Sequence, residues 1–435
     1  MTKRSKISLL TWSGVAAVAL LAPAIASAQA AEADRGVGVR DRVKPEYEPL
    51  GIRAGAFTIR PEISVNAEYN DNVFASDVAE EADTIFRIVP SVSIDSNWSR
   101  NALGLRAKLV DWRYVDFDGE DRTDWSVDGN GRLDIGSRSS LRASAGYENT
   151  FESRQDAAAP LSPEPSEYTS VYGGVGFTHE FNRLQIMGDI MVRNYDFEDY
   201  VTILGGAVDQ DYRDYDRIDY TARADYALPK GGVVFIEGGY NTREYDQETA
   251  FAGVGGPLDQ NSSGYRALVG TRLNLTNLLS GEVAVGYLNQ EYDDDRLSNA
   301  SGLAVRADLQ WFISGITTIG FGGSRDVQES QIFFNPVPGG AVGGGAIVSS
   351  VYGRVDHELL RNVVLSGDVA YRDYDYQSFD RKDERIEAGV GVDYLMNRTF
   401  KFGVGYRYDD RKSAGAAAGD DFTANRLIFS VTARL

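Results

Sequence analysis

Nucleophile-and-base catalysis needs a histidine close to a serine or an aspartate. This 435-residue chain has only two histidines. They sit in related stretches, Thr178-His179-Glu180-Phe181-Asn182-Arg183 and Asp356-His357-Glu358-Leu359-Leu360-Arg361-Asn362. Each marks a strand end running into a tight turn, which suits turn packing or hydrogen bonding better than a base. Carboxylates could hold Ca²⁺ at Asp293-Asp294-Asp295 or at the Tyr-Asp pairs, but the spacing is not that of a dedicated calcium loop. Asn70-Asp71-Asn72 reads as a strand-to-loop turn. The glycines Gly339-Gly340 and Gly343-Gly344-Gly345 lead into no Lys-Ser/Thr and no helix, so they form a loop without a nucleotide. The sequence therefore offers no catalytic residue, no cofactor site and no metal site.

The charged residues carry a different signal. Read by alternation, one strand face carries the bases Arg132, Arg223, Arg266, Arg306, Arg354, Arg372 and Arg407. The acids Asp189, Glu237, Asp308, Asp368 and Glu387 fall on the same face. These twelve are the candidate pore-lining residues, expected to form cross-strand ion pairs and to bound a mixed-charge, water-filled conduit.

Such a face requires strands. The last residues, Arg426 to Leu435, alternate: Leu427, Phe429, Val431, Ala433 and Leu435 on one side, Arg426, Ser430, Thr432 and Arg434 on the other, with Ile428 the exception. A period of two is a strand with one apolar and one polar face. The pattern recurs along the chain in segments of about nine to eleven residues, the length that spans a bilayer when tilted. In Ile386–Tyr394, a slip of one residue would send Glu387 and Asp393 into hydrocarbon, so the register is strongly fixed.

The N-terminus bounds the compartment. Lys3, Arg4 and Lys6 precede an apolar run from Ile7 to Leu21, and small residues allow cleavage after Ala28 or Ala30. Residues 1–28 are thus expected to be a signal peptide, 29–56 a polar periplasmic tail, and 57–435 the strand-forming body. The chain has no cysteine, which excludes disulfides and lipoprotein anchoring. Its net charge of −20 becomes −23 once the three leader bases are lost, which argues against nucleic acid as a partner.

About 18 strands are expected, joined alternately by short turns such as Phe181-Asn182-Arg183-Leu184 and by long loops such as Glu152–Glu167, Asp196–Asp214, Glu244–Gly264 and Val327–Ala346. This is the pattern of an all-β, transmembrane, antiparallel up-and-down barrel with short periplasmic turns and longer extracellular loops. Of the long loops, Val327–Ala346 could fold inward as a constriction, although its glycines give it little rigidity. Tyr195, Tyr245, Tyr292, Tyr374 and Tyr408, each followed by Asp, are expected in an interfacial aromatic girdle.

Pro49-Leu50-Gly51-Ile52-Arg53, Glu68-Tyr69-Asn70-Asp71-Asn72-Val73-Phe74-Ala75, Asn97-Trp98-Ser99-Arg100-Asn101 and Asp124-Trp125-Ser126-Val127 carry a family likeness. With these stretches the chain resembles the β-barrel porin family of Gram-negative outer membranes, over essentially the whole mature length. The resemblance implies a non-enzymatic channel in the cell outer membrane, surrounded by lipid and lipopolysaccharide and inserted by the barrel-assembly machinery. It also implies a passage for exopolysaccharide or capsule, working with periplasmic polysaccharide-export proteins. The alternatives are a general diffusion porin for small solutes and a structural or adhesive barrel. The terminal Leu435 departs from the usual final aromatic residue, although Phe429 keeps an aromatic within the strand.

Overall fold

The computed structural model describes residues 36–156, 162–202, 205–229, 231–248, 257–275, 278–330 and 344–435. The leader expected over 1–28 lies outside them. Eighteen strands form one closed ring. They are β1 (Phe57–Asn70), β2 (Asp83–Ser96), β3 (Ala102–Tyr114), β4 (Arg122–Ile135), β5 (Ser139–Phe151) and β6 (Glu167–Phe181). β7 (Leu184–Phe197), β8 (Tyr215–Ala227), β9 (Val233–Tyr245), β10 (Ser262–Leu275), β11 (Leu279–Tyr292) and β12 (Ala300–Ser314) follow. The ring ends with β13 (Thr317–Ser330), β14 (Gly344–Leu360), β15 (Val363–Tyr376), β16 (Lys382–Leu395), β17 (Phe400–Ala414) and β18 (Phe422–Arg434). Each strand pairs antiparallel with its chain neighbours, and β1 closes on β18 with Glu62 opposite Arg434 and Asn70 opposite Arg426. A short strand, Ile52–Ala54, pairs only with the start of β1.

The count matches the sequence pattern, but the strands are longer, 13 to 17 residues each. Alternation in the sequence marks the lipid-facing span; backbone pairing continues past it into polar ends. Turns alternate short and long as expected, and the even number brings both ends of the ring to the short-turn side. In the Asn182 turn the backbone is left-handed, with φ 43°, which asparagine tolerates better than most residues.

The facing of β16 is as expected. Val390 is 62% exposed and Ile386, Val392 and Tyr394 are also exposed, whereas Glu387 and Asp383 are buried. Large apolar side chains thus cover the outside, the face that meets lipid.

The girdle expectation needs correction. Tyr195 shares its parity with Asp189 and Arg193, and it points into the lumen, as do Tyr245, Tyr292 and Tyr374; only Tyr408 of the five faces outward. Inside the barrel Tyr195 stacks on Tyr215 at 4.6 Å and Tyr215 on Tyr245 at 5.0 Å, and the Arg193 guanidinium lies over the Tyr172 ring at 4.8 Å. The outward aromatics are others, including the row Tyr220, Tyr240 and Tyr265 across β8, β9 and β10.

The two histidines reveal an internal repeat. His179 Nδ1 lies 2.7 Å from Ser139 Oγ, and His357 Nδ1 lies 2.9 Å from Thr317 Oγ1. In both places the next residue's amide donates to the carbonyl just before the paired strand, from Glu180 to Arg138 and from Glu358 to Ile316. The short-turn ends of the β5–β6 and β13–β14 pairs are thus two copies of one structure. Asn70-Asp71-Asn72 also has a structural task. Fully buried Asn72 donates to the Ser76 and Thr423 carbonyls, and the Asp71 carboxylate accepts from the Asn425 amide at 2.7 Å. These bonds seal the β1–β18 seam at its long-loop end.

Candidate functional site: the lumen

An ionised side chain facing hydrocarbon is costly, so the charged residues of each strand take the inward face and must find partners there. The structure gathers the twelve sequence-derived candidates into three lumenal patches. The densest spans β8 to β12. Arg223 donates to Asp225 at 2.6 Å and to Glu282 at 2.7 Å, and its guanidinium lies 3.7 Å over the Phe235 ring. Arg306 donates to Glu237 at 2.8 Å and to Glu282 at 3.0 Å, and Arg266 reaches Asp326 at 2.6 Å. The Arg223–Glu282, Arg306–Glu237 and Arg266–Asp326 contacts each skip two intervening strands, so the wall curves sharply here. Beside them Phe235, Leu268, Ala284, Leu288 and Ala304 form a buried apolar cluster that also faces inward.

A second patch lies on β14 to β18. Arg354 pairs with Asp356 at 2.9 Å, Arg407 with Asp368 at 3.3 Å, and Arg372 with Glu387. Arg385 donates to fully buried Asp409 at 2.8 Å. The third patch, on β4 to β7, holds Arg132 with Asp134 at 2.7 Å and Asp189 with Arg142 at 2.8 Å. Asp308 completes the twelve, accepting from the Tyr352 hydroxyl at 2.8 Å. Each predicted base is matched by an acid: Arg223, Arg266, Arg306, Arg372 and Arg407 across strands as expected, but Arg132 and Arg354 along their own strand, at i,i+2.

What narrows the lumen is a loop whose inward fold the sequence does not announce. Residues 152–156, which follow β5, turn inward and are held on several sides. The Arg213 guanidinium donates to Glu152 at 2.9 Å, and Arg154 donates to buried Glu120 at 2.6 Å. Arg385 of β16 donates to Gln155 Oε1 at 3.0 Å, and Arg411 of β17 donates to the Gln155 carbonyl at 3.2 Å. β16 lies seven strands from β5 by the shorter way round, through β1 and β18, so the loop spans the lumen. Burial pushes the Asp156 carboxyl up to about 6 against the pull of Arg385. The loop assigned this role from sequence, Val327–Ala346, falls mostly outside the described residues, which resume at Gly344.

In the β7–β8 loop, burial and then Asp196 and Asp211 raise the Asp214 carboxyl to about 7, against the bond it accepts from the Phe197 amide. Exposed Asp199, Asp209 and Asp211 gather beside it, with carboxylate oxygens within 4.8 Å of one another. The sequence reading looked for cations elsewhere. At one of those places, Asp294 is engaged by Arg296 at 2.5 Å.

Comparison with known proteins adds the following. Residues 44–435 match the model of the family described as "Putative beta-barrel porin 2". Among solved structures, Pseudomonas aeruginosa OpdO is 15% identical, with 87% of this chain and 97% of that one covered, at a TM-score of 0.44. Acinetobacter baumannii OccAB3 is 12% identical, covering 87% and 99%, at 0.45. The copper transporter OprC is 11% identical, covering 88% and 82%, at 0.49. No curated protein matches the sequence.

Proposed function

Because the chain belongs to the family described as "Putative beta-barrel porin 2", and is thus a non-enzymatic channel protein of the outer membrane, we propose that it is a diffusion porin for small hydrophilic solutes. One observation carries this reading: the cross-lumen docking of Gln155 on Arg385 and Arg411. An unobstructed barrel of this size would leave a wide aqueous channel. With residues 152–156 seated, the loop crosses the lumen and narrows the passage beside its contacts with Arg385 and Arg411. The twelve paired residues of the wall keep that outline rigid. A hydrated solute of a few heavy atoms suits such an opening better than a polymer strand.

The exopolysaccharide passage implied by the resemblance, with its periplasmic export partners, would require the loop to leave both β16 and β17. Shortening the loop by removing residues 154–164 tests the proposal in liposomes loaded with a size series of sugars. The shortened channel should conduct more and admit larger sugars than the native one. An unchanged size limit would remove the loop as the constriction. A gene-deletion strain that takes up small nutrients normally but loses surface polysaccharide would replace the porin reading with the export one.

A further inference from the structure

The N-terminal segment does more than lead into β1. Followed backward from Leu50, it runs along the rim formed by the short turns. The Tyr47 carbonyl accepts from Arg434 at 2.9 Å, the Pro45 carbonyl from Arg398 at 3.1 Å, and Glu46 pairs with Arg361 at 2.7 Å. These contacts touch the end of β18 and the turns after β16 and β14. The segment then dips inward. Lys44 and Arg42 lie 3.4 and 3.7 Å from Glu358, with all three side chains buried, and Arg42 also donates to the Gly315 carbonyl at 2.5 Å. Deeper still, Arg40 donates to Asp356 at 2.7 Å, and the Val39 amide donates to Thr318 Oγ1 at 3.1 Å. Thr318 and Asp356 face the lumen, and Val39 is only 1% exposed. The expected polar tail is therefore docked inside the mouth over residues 38–44.

We propose that residues 38–44 form a charge-held gate on the short-turn mouth of the channel. The chemistry of the latch supports release as a unit. Three bases, Arg40, Arg42 and Lys44, converge on two carboxylates, Asp356 and Glu358. Arg42 and Lys44 are buried, and a buried base that loses its acid is strongly destabilised in place, so the latch has two stable conditions: seated with both acids, or withdrawn into water. The segment lies outside the closed ring, since β1 begins at Phe57 and pairs β18 without it. Its withdrawal breaks no strand pairing. The inference goes beyond the diffusion reading and depends on it only in that the lumen conducts.

Single-channel recording in planar bilayers tests it with four forms of the full barrel, each first checked for folding by heat-modifiable gel mobility. Deleting residues 31–44 should raise conductance and abolish brief closures. Asp356→Asn with Glu358→Gln should do the same with the segment still attached, and should open the Arg42–Val43 bond to trypsin, the Arg42 side chain being buried in the native protein. A lock, Gly38→Cys with Thr318→Cys, should hold the low-conductance state until reductant is added. A Cβ at Gly38 would lie 3.7 Å from Thr318 Cγ2, close enough for a disulfide in a chain that has no other cysteine. Equal conductance in the native, deleted and locked channels would overturn the gate while leaving the porin reading standing. Absence of conduction in both native and deleted forms would overturn both.

Discussion

Asp156→Asn should abolish a pH response centred near 6 that the native channel shows. The Asp156 carboxyl rises from the ordinary 3.8 to about 6 because the inward-turned loop buries it, with Arg385 and Arg411 opposing that rise. The shift is worth roughly 3 kcal/mol at about 1.4 kcal/mol per unit. Asp156 keeps part of its surface open to the lumen, so this is an upper bound. A carboxyl whose value is raised by docking holds its proton more tightly in the docked loop than in the released one. Loop docking is thus weakest above about 6, strengthens as pH falls through that value, and gains nothing more below about 4, where both forms are protonated. Acid also removes a negative charge opposite Arg385 and Arg411, which should shift ion preference toward anions. The assay is the zero-current potential across a planar bilayer under a salt gradient, from pH 7.5 to 4.5. The native protein should show an inflection near 6 and Asp156→Asn should show none there, behaving at neutral pH as the native channel does in acid. Asp214, pushed up to about 7 by burial in the neighbouring loop, titrates close by. An inflection that survives Asp156→Asn but disappears with Asp214→Asn would refute the assignment, as would a native profile flat across the range.

Two further outcomes follow from the register and the repeat. Val390→Arg, on the lipid face, should impair assembly at a cost of roughly 2–4 kcal/mol near the midplane. Gly391→Arg should fold, because an added Cβ there meets nothing nearer than Ser366 Oγ at 3.2 Å and the side chain enters the lumen; heat-modifiable mobility of the two variants checks this, and equal damage from both, or damage only from Gly391→Arg, would refute the facing of β16. Ser139→Ala and Thr317→Val each remove the hydroxyl partner of a histidine, and each should cost about 0.5–1.5 kcal/mol in urea unfolding. The double variant should show the sum, since the two turns share no partner.

Much of the barrel is written in local alternation. Glu387 and Asp393 fix the face of β16, and the same parity places Arg223, Glu237, Arg306 and the other paired residues inside. That parity, applied to β7, also places Tyr195 with Asp189 and Arg193; assigning it to the girdle followed residue type over period. The inward loop is different. Gln155 finds its partners 230 and 256 residues further along the chain, and no local pattern encodes that meeting. The docked N-terminal segment was equally hidden. Arg40, Arg42 and Lys44 read as solvated charge until Asp356 and Glu358 are brought to the same rim.

The lumen's selectivity then rests on few groups. Along the wall, Arg223, Arg306, Arg354, Arg372 and Arg407 are each within reach of an acid, and a passing ion meets nearly balanced charge. Each charge is held close to its opposite, so these pairs stiffen the wall more than they steer solutes. The inward loop sets the opening, and its position is over-determined. Glu152 is fixed to Arg213 of the β7–β8 loop, Arg154 to Glu120 of the β3–β4 loop, and Gln155 to Arg385 and Arg411 on the far wall. Losing one anchor leaves two, so a single substitution at Gln155 should loosen the opening without freeing the loop, whereas removing residues 154–164 takes two anchors at once. That difference is why the size limit of the shortened channel, and not that of a point variant, decides between a porin and a wider conduit.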